Sequence, residues 1–174
     1  MLTPGVHVVH SRRGATNWRG TVVDAHEGTA LGGVTIVVRA PTLEQDDVLL
    51  QITTDGRGLF AFDLDPLPPG AEIVARSASH AEERKALPAG GTLRIALITR
   101  RRALLRRFVS WAQIRGAPYD SKPEPTPKQV AEAARRGERG DVRVWAEAVE
   151  SAAFGPGEVD ADVEAAVRDV EPGP

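Results

Sequence analysis

The chain has no cysteine, which excludes disulfides and thiolate metal sites and suits a reducing compartment. Aromatic residues are only 5% of its 174 residues, with a single tyrosine, Tyr119. Surfaces for stacking bases or sugars are therefore scarce. Histidine is scarce as well: His7, His10, His26 and His80 are dispersed over turns and an edge segment. No apolar run reaches the roughly 18 residues needed to cross a bilayer. Residues 1–13 lack the continuous apolar stretch of a secretory signal, so with Met1 as the native start a cytoplasmic location is expected. A net charge of -2 gives no whole-chain attraction to nucleic acid or anionic membranes. With 41% hydrophobic residues, a packed core is within reach.

The clearest pattern lies between Ile52 and Gly70. Phe60, Phe62 and Leu64 alternate with Ala61 and Asp63, the period of a half-buried strand. Asp55-Gly56-Arg57-Gly58 supplies a turn before it, because Asp bonds nearby backbone and Gly tolerates positive φ. The expectation is a hairpin between the run ending at Thr54 and the Phe60 strand. Pro68 and Pro69 lack the N–H that a central ladder needs, so the strand must stop before them. Further strands are expected over Trp18–Ala25, Val34–Arg39, Val48–Thr54, Glu72–Ala78 and Thr92–Ile98, with a short edge strand near Val6–His10. Turn signals every ten residues or so point to an antiparallel sandwich.

At Arg100 the period changes. Leu104, Leu105, Phe108, Trp111 and Ala112 form an apolar stripe at helical spacing, ended by Gly116-Ala117-Pro118. Prolines at 118, 123, 125 and 127 make a semi-rigid link over 117–127. Thr126-Pro127 is a helix start, with Thr as the cap and Pro in the first turn. Asp141 is expected to cap a third helix, whose face carries Val142, Trp145, Ala146, Val149 and Ala153. Glu158 to Val170 reads as an amphipathic helix or a frayed tail. Pro172-Gly173-Pro174 is disordered by composition. The fold class is thus β + α: an antiparallel β-sandwich over 3–99, then a small helical region over 100–171.

The first part resembles a carboxypeptidase regulatory-like domain, a transthyretin-like seven-stranded sandwich. The matching residues are Arg19-Gly20-Thr21-Val22-Val23-Asp24, Gly28 to Val34, Thr53 to Phe62, and Pro68-Pro69-Gly70, within about Asn17 to Thr99. That resemblance implies a non-catalytic accessory module supporting folding, adhesion or assembly. Residues 102–156 resemble a bacterial family of unknown function, found as the cytosolic tail of transglutaminase-like membrane proteins. Leu104-Leu105-Arg106-Arg107, Arg115-Gly116, Pro125 to Ala131 and Ala148 to Pro156 carry that similarity. It brings no chemistry with it.

Catalytic constellations are absent from the pattern. His7 and His10 on a strand would point to opposite faces, and no metal ligand set or cofactor is expected. Intradiol dioxygenases on this kind of sandwich bind iron through two Tyr and two His, whereas Tyr119 is alone and lies outside it. The Tyr-Arg-Gly-Ser ending of hydroxyisourate hydrolases is missing. Gly28 to Gly33 lacks the Lys-Ser/Thr of a phosphate loop and precedes a strand. Glu44 to Asp47 lacks the spacing of an EF-hand loop.

The sharpest candidate is the helix beginning at Arg100. Arg101, Arg102, Leu104, Leu105, Arg106, Arg107, Phe108 and Trp111 combine a cationic cluster with an amphipathic face, suited to a protein groove or to peripheral contact with lipid headgroups. The competing reading docks the apolar face on the sandwich or the later helices and pairs the arginines with acids between Glu158 and Glu171. The expected function is a non-enzymatic adaptor in a bacterial assembly, with other protein subunits as partners. A carbohydrate-binding sandwich and a hydrolase with an unrecognised site are the alternatives.

Overall fold

Alternating and helical periods segregate along the chain as strands first and helices afterwards. The structure, a computed structural model, describes residues 16–41 and 46–173. Seven strands come first: β1 (Thr16–Asp24), β2 (Thr35–Pro41), β3 (Asp46–Thr53), β4 (Leu59–Leu64), β5 (Glu72–Arg76), β6 (Glu83–Ala86) and β7 (Gly91–Leu97). Four helices follow: α1 (Arg100–Arg115), α2 (Pro127–Arg136), α3 (Gly140–Phe154) and α4 (Ala161–Asp169). The expected strand near Val6–His10 lies outside the described residues. The chain divides into two compact units, 1–76 with 82–96, and 77–81 with 97–174.

The first unit is a β-sandwich of a three-stranded sheet, β4-β1-β7, and a four-stranded sheet, β3-β2-β5-β6. The β1–β4, β2–β3, β2–β5 and β5–β6 pairings are antiparallel, and β2 takes a bulge against β3 between Val38 and Arg39. Inward positions alternate as the pleat requires: Trp18 and Val22 on β1, Phe60 and Phe62 on β4, and Ile36 and Val38 on β2 are all buried. Trp18 and Phe62 are cross-strand partners whose rings stack at 5.2 Å. The Trp18 indole donates to the Pro88 carbonyl at 2.8 Å, so burial leaves its N–H satisfied. Opposite Phe60 stands Gly20, where an added Cβ would lie 2.3 Å from the Phe60 ring. The missing side chain is what lets that ring cross β1.

The turn Asp55–Gly58 forms as its residues dictate, but its strands do not make a hairpin. Asp55 Oδ1 accepts from the backbone N–H of Arg57 and Leu59, both at 2.8 Å. The chain then passes from β3, an edge of the four-stranded sheet, to β4, an edge of the other. Gly58 adopts φ +70°, with its Cβ position 2.6 Å from the Val22 carbonyl, and its own carbonyl accepts from Val22 N–H at 2.8 Å. Thr54 completes the crossing: its hydroxyl donates to the Leu31 carbonyl at 2.8 Å and accepts from Val34 N–H at 3.0 Å. Tertiary hydrogen bonds therefore decide the strand's partner. β4 ends at Leu64, ahead of Pro66, Pro68 and Pro69.

One strand, β6, falls in the polar interval between Ala78 and Thr92. Its Glu-Arg-Lys-Ala sequence has no buried residue, the charged edge that discourages further pairing. Ion pairs accompany it: Glu82 meets Arg76 at 2.7 Å, Arg84 at 3.4 Å and Arg39 at 3.9 Å. Partial burial alone would raise the Glu82 carboxyl, but the hydrogen bonds and charges of Arg76 and Arg84 outweigh it and hold it below the usual carboxylate range.

The second unit packs its helices around one core. Leu104, Phe108 and Ala112 of α1 meet Val130 and Ala134 of α2, Trp145 and Val149 of α3, and Val167 of α4. Phe108 and Trp145 lie 5.0 Å apart, and Trp111 sets its ring edge-on to Trp145 at 5.0 Å. Each large side chain buried this way contributes about 1.5–3 kcal/mol. Thr126 and Gln129 form a reciprocal capping box at the start of α2. At α3, Asp141 does not serve as the expected cap. Arg139 holds that position without a side-chain bond, and Asp141 sits in the first turn paired to Arg139 at 2.8 Å. Pro172, expected to be disordered, is buried, and the Gly173 carbonyl accepts from Arg115 at 2.5 Å.

Candidate functional site

The arginine-rich start of α1 turns largely toward its own unit. Thr99 caps the helix. Arg100 reaches Glu164 of α4 and donates to the carbonyls of Ala78 at 2.9 Å and Ser77 at 3.1 Å. Glu164 also accepts from Arg168 at 2.5 Å, and its side chain is only 6% exposed. Arg101 donates to the carbonyls of Gly155 and Gly157, at 3.1 and 2.6 Å. Arg107 pairs with Glu171 at 2.6 Å. Of the remaining predicted residues, Leu104 and Phe108 are buried in the helical core, and Leu105 and Trp111 are half-buried against it. Arg102 and Arg106 are exposed. Arg115 covers the Trp111 ring, 5.4 Å from its centroid.

What these arginines brace is a groove between α3 and α4. About 490 Å3 of space lies against Val144, Ala148 and Ala152 of α3, against Val163, Ala166 and Val170 at the α4 end, and against the Gly155-Pro156-Gly157 corner. The helical period explains why it exists. Val142, Trp145, Ala146 and Val149 turn to the core, while Val144, Ala148 and Ala152 recur at i, i+4 and i+8 as a second apolar stripe. Val144 is 46% exposed and Val170 38%, and Phe154 at the end of α3 is 63% exposed. This second stripe is visible in the sequence once the core stripe has been assigned, but nothing in the sequence says that it is left open.

A second groove, of about 500 Å3, lies on the three-stranded sheet, lined by Arg19, Thr21, Asp55, Leu59, Ala61 and Thr92. Trp18 is fully buried and presents no stacking face to a sugar there. No cluster of three or more metal-ligating side chains occurs among the described residues. His7 and His10 lie outside them. His26 is exposed at a turn where Asp24 accepts its N–H at 2.7 Å. His80 is buried, with its Nδ1 3.0 Å from Ser79 Oγ and 3.4 Å from Ser77 Oγ.

No family model and no curated protein matches the chain. Solved structures do align with part of it. The major pilin subunit BcpA of Bacillus cereus is 11% identical with a TM-score of 0.35, over 49% of this chain and 30% of the pilin. A 3-chlorocatechol 1,2-dioxygenase from Rhodococcus opacus is 13% identical with a TM-score of 0.38, over 57% of this chain and 69% of the enzyme. The 5-hydroxyisourate hydrolase of Klebsiella pneumoniae is 19% identical with a TM-score of 0.35, over 48% of this chain and 85% of the enzyme. At such scores no activity passes to this chain. None of the described helices is long and apolar enough to cross a membrane.

Proposed function

We propose that the chain is a non-enzymatic adaptor that docks another protein on its helical unit. The observation that carries this reading is the open apolar groove between α3 and α4, with Val144 and Val170 exposed along it. Water against such a surface costs about 25 cal/mol per Å2, which a partner's apolar side chains recover. The carboxypeptidase regulatory-like resemblance of the sandwich, a non-catalytic module in that family, agrees with it. Arg102 and Arg106 remain exposed on α1 and offer a second, charged contact with the partner.

The test is affinity purification of the tagged full-length chain from its native host, beside Val144→Arg and Arg102→Ala/Arg106→Ala variants. A partner captured by the parent and lost with Val144→Arg supports docking in the groove. Loss only with the arginine variant moves the interface to α1. Finding no stable partner for any of the three sinks the adaptor reading.

A further inference from the structure

We infer that the α3–α4 groove receives a basic amphipathic helix of the partner protein, an inference that rests on the adaptor reading and names the partner's chemistry. The first argument is shape. Two helices whose apolar stripes lie side by side make a trough that a third helix fills with its own i, i+3, i+4 and i+7 side chains. The trough is held from behind: Arg100 and Arg107 fasten α4 through Glu164 and Glu171, and Arg101 fixes the Gly155-Pro156-Gly157 corner by two carbonyls. A preformed site spends little of its binding energy on ordering.

The second argument is charge. On α4, Val163, Ala166 and Val170 share one stripe, and at 100° per residue Asp162 and Asp169 fall together on the side of that stripe away from Glu164 and Glu171. Along α3, Glu147 falls on the flank of Val144 but is met by Arg135 at 3.8 Å and Arg143 at 3.7 Å, whereas Glu158 lines the corner. Glu164 and Glu171 are consumed by Arg100, Arg168 and Arg107, and Asp160 caps α4. Glu158, Asp162 and Asp169 hold no ion pair among the described residues. The α4 wall and the corner of the apolar trough therefore carry the unpaired carboxylates. Lysines or arginines flanking a leucine-rich stripe complement that arrangement, and an acidic helix or an anionic bilayer is repelled by it.

The probes are two 18-residue peptides, one alternating leucine and lysine at helical spacing and one with glutamate replacing each lysine. Each is titrated into the full-length protein by fluorescence anisotropy. The leucine–lysine peptide is expected to bind at least tenfold more tightly than its glutamate counterpart and to weaken as salt rises. Ala166→Gln, which fills the groove without charge, is expected to abolish binding, and Asp162→Lys/Asp169→Lys to reverse the preference, with circular dichroism unchanged in both. Equal binding of the two peptides overturns the basic helix and leaves the adaptor reading intact. Binding unaffected by both variants overturns the groove as its location. If neither peptide binds, the inference also falls. Light scattering then tells whether a second copy occupies the groove, by a dimer that Ala166→Gln dissociates. Uptake onto phosphatidylserine vesicles, lost in the same variant, would replace the protein helix with a lipid surface.

Discussion

Glu164 is a carboxylate with almost no access to water, placed between Arg100 and Arg168. Removing one member of such a set leaves the others buried and under-compensated, which costs about 3–5 kcal/mol. Glu164→Ala is therefore expected to lower stability by about 3 kcal/mol in urea unfolding; a change under about 1 kcal/mol would show that Arg100 is satisfied by its two carbonyls alone. Asp141 offers the opposite case, an exposed group whose effect is read by pH. Its hydrogen bond from Arg139, with help from the Val142 backbone N–H, lowers its pKa from 3.8 to about 2. Because the folded value lies below the unfolded one, the fold favours the ionised form. Its contribution is complete above about pH 4 and is lost as pH falls towards 2. Carbon-detected NMR should place the Asp141 midpoint near 2, and Arg139→Ala should return it towards 3.8.

At the scale of the element, two local devices carry testable weight. The Thr126–Gln129 box ties off α2, with Gln129 Oε1 accepting Thr126 N–H at 3.0 Å. Thr126→Ala is expected to cost about 1 kcal/mol in chemical denaturation, and Thr126→Ser close to nothing. The Asp55–Gly58 turn is the other. At Gly58, φ is +70° and the Cβ position touches the Val22 carbonyl, so Gly58→Ala is expected to destabilise by more than the roughly 1 kcal/mol of left-handed strain alone. A neutral or stabilising result would mean that β1 can move away from the turn. Strand and helix positions were legible because the periods of 2 and 3.6 switch cleanly at Arg100. The pairing of β4 with β1 was not, since a turn sequence fixes the bend and not which edge the next strand joins. β6 escaped notice because an edge strand of charged residues has no apolar alternation to read.

For the whole molecule, the two units each carry their own packed aromatic set: Trp18, Phe60 and Phe62 in the sandwich, Phe108, Trp111, Tyr119 and Trp145 among the helices. Truncating a buried Phe costs about 3–5 kcal/mol. In native-state hydrogen exchange, Phe62→Ala is expected to lower protection mainly in β1–β7, and Phe108→Ala mainly in α1–α4. Uniform loss of protection throughout the chain from either substitution would make the molecule one cooperative unit. The sequence by itself determined the helices and most strands, the core-facing stripes of α1 and α3, the stop before Pro68 and the shortage of catalytic residue types, because each is set by composition or by neighbours along the chain. Only the tertiary structure decided that Arg100, Arg101 and Arg107 spend their charge on α4 and its corner. It alone left Val144 exposed beside the half-buried Ala148 and Ala152, and it alone paired those arginines, whose partners lie more than fifty positions away.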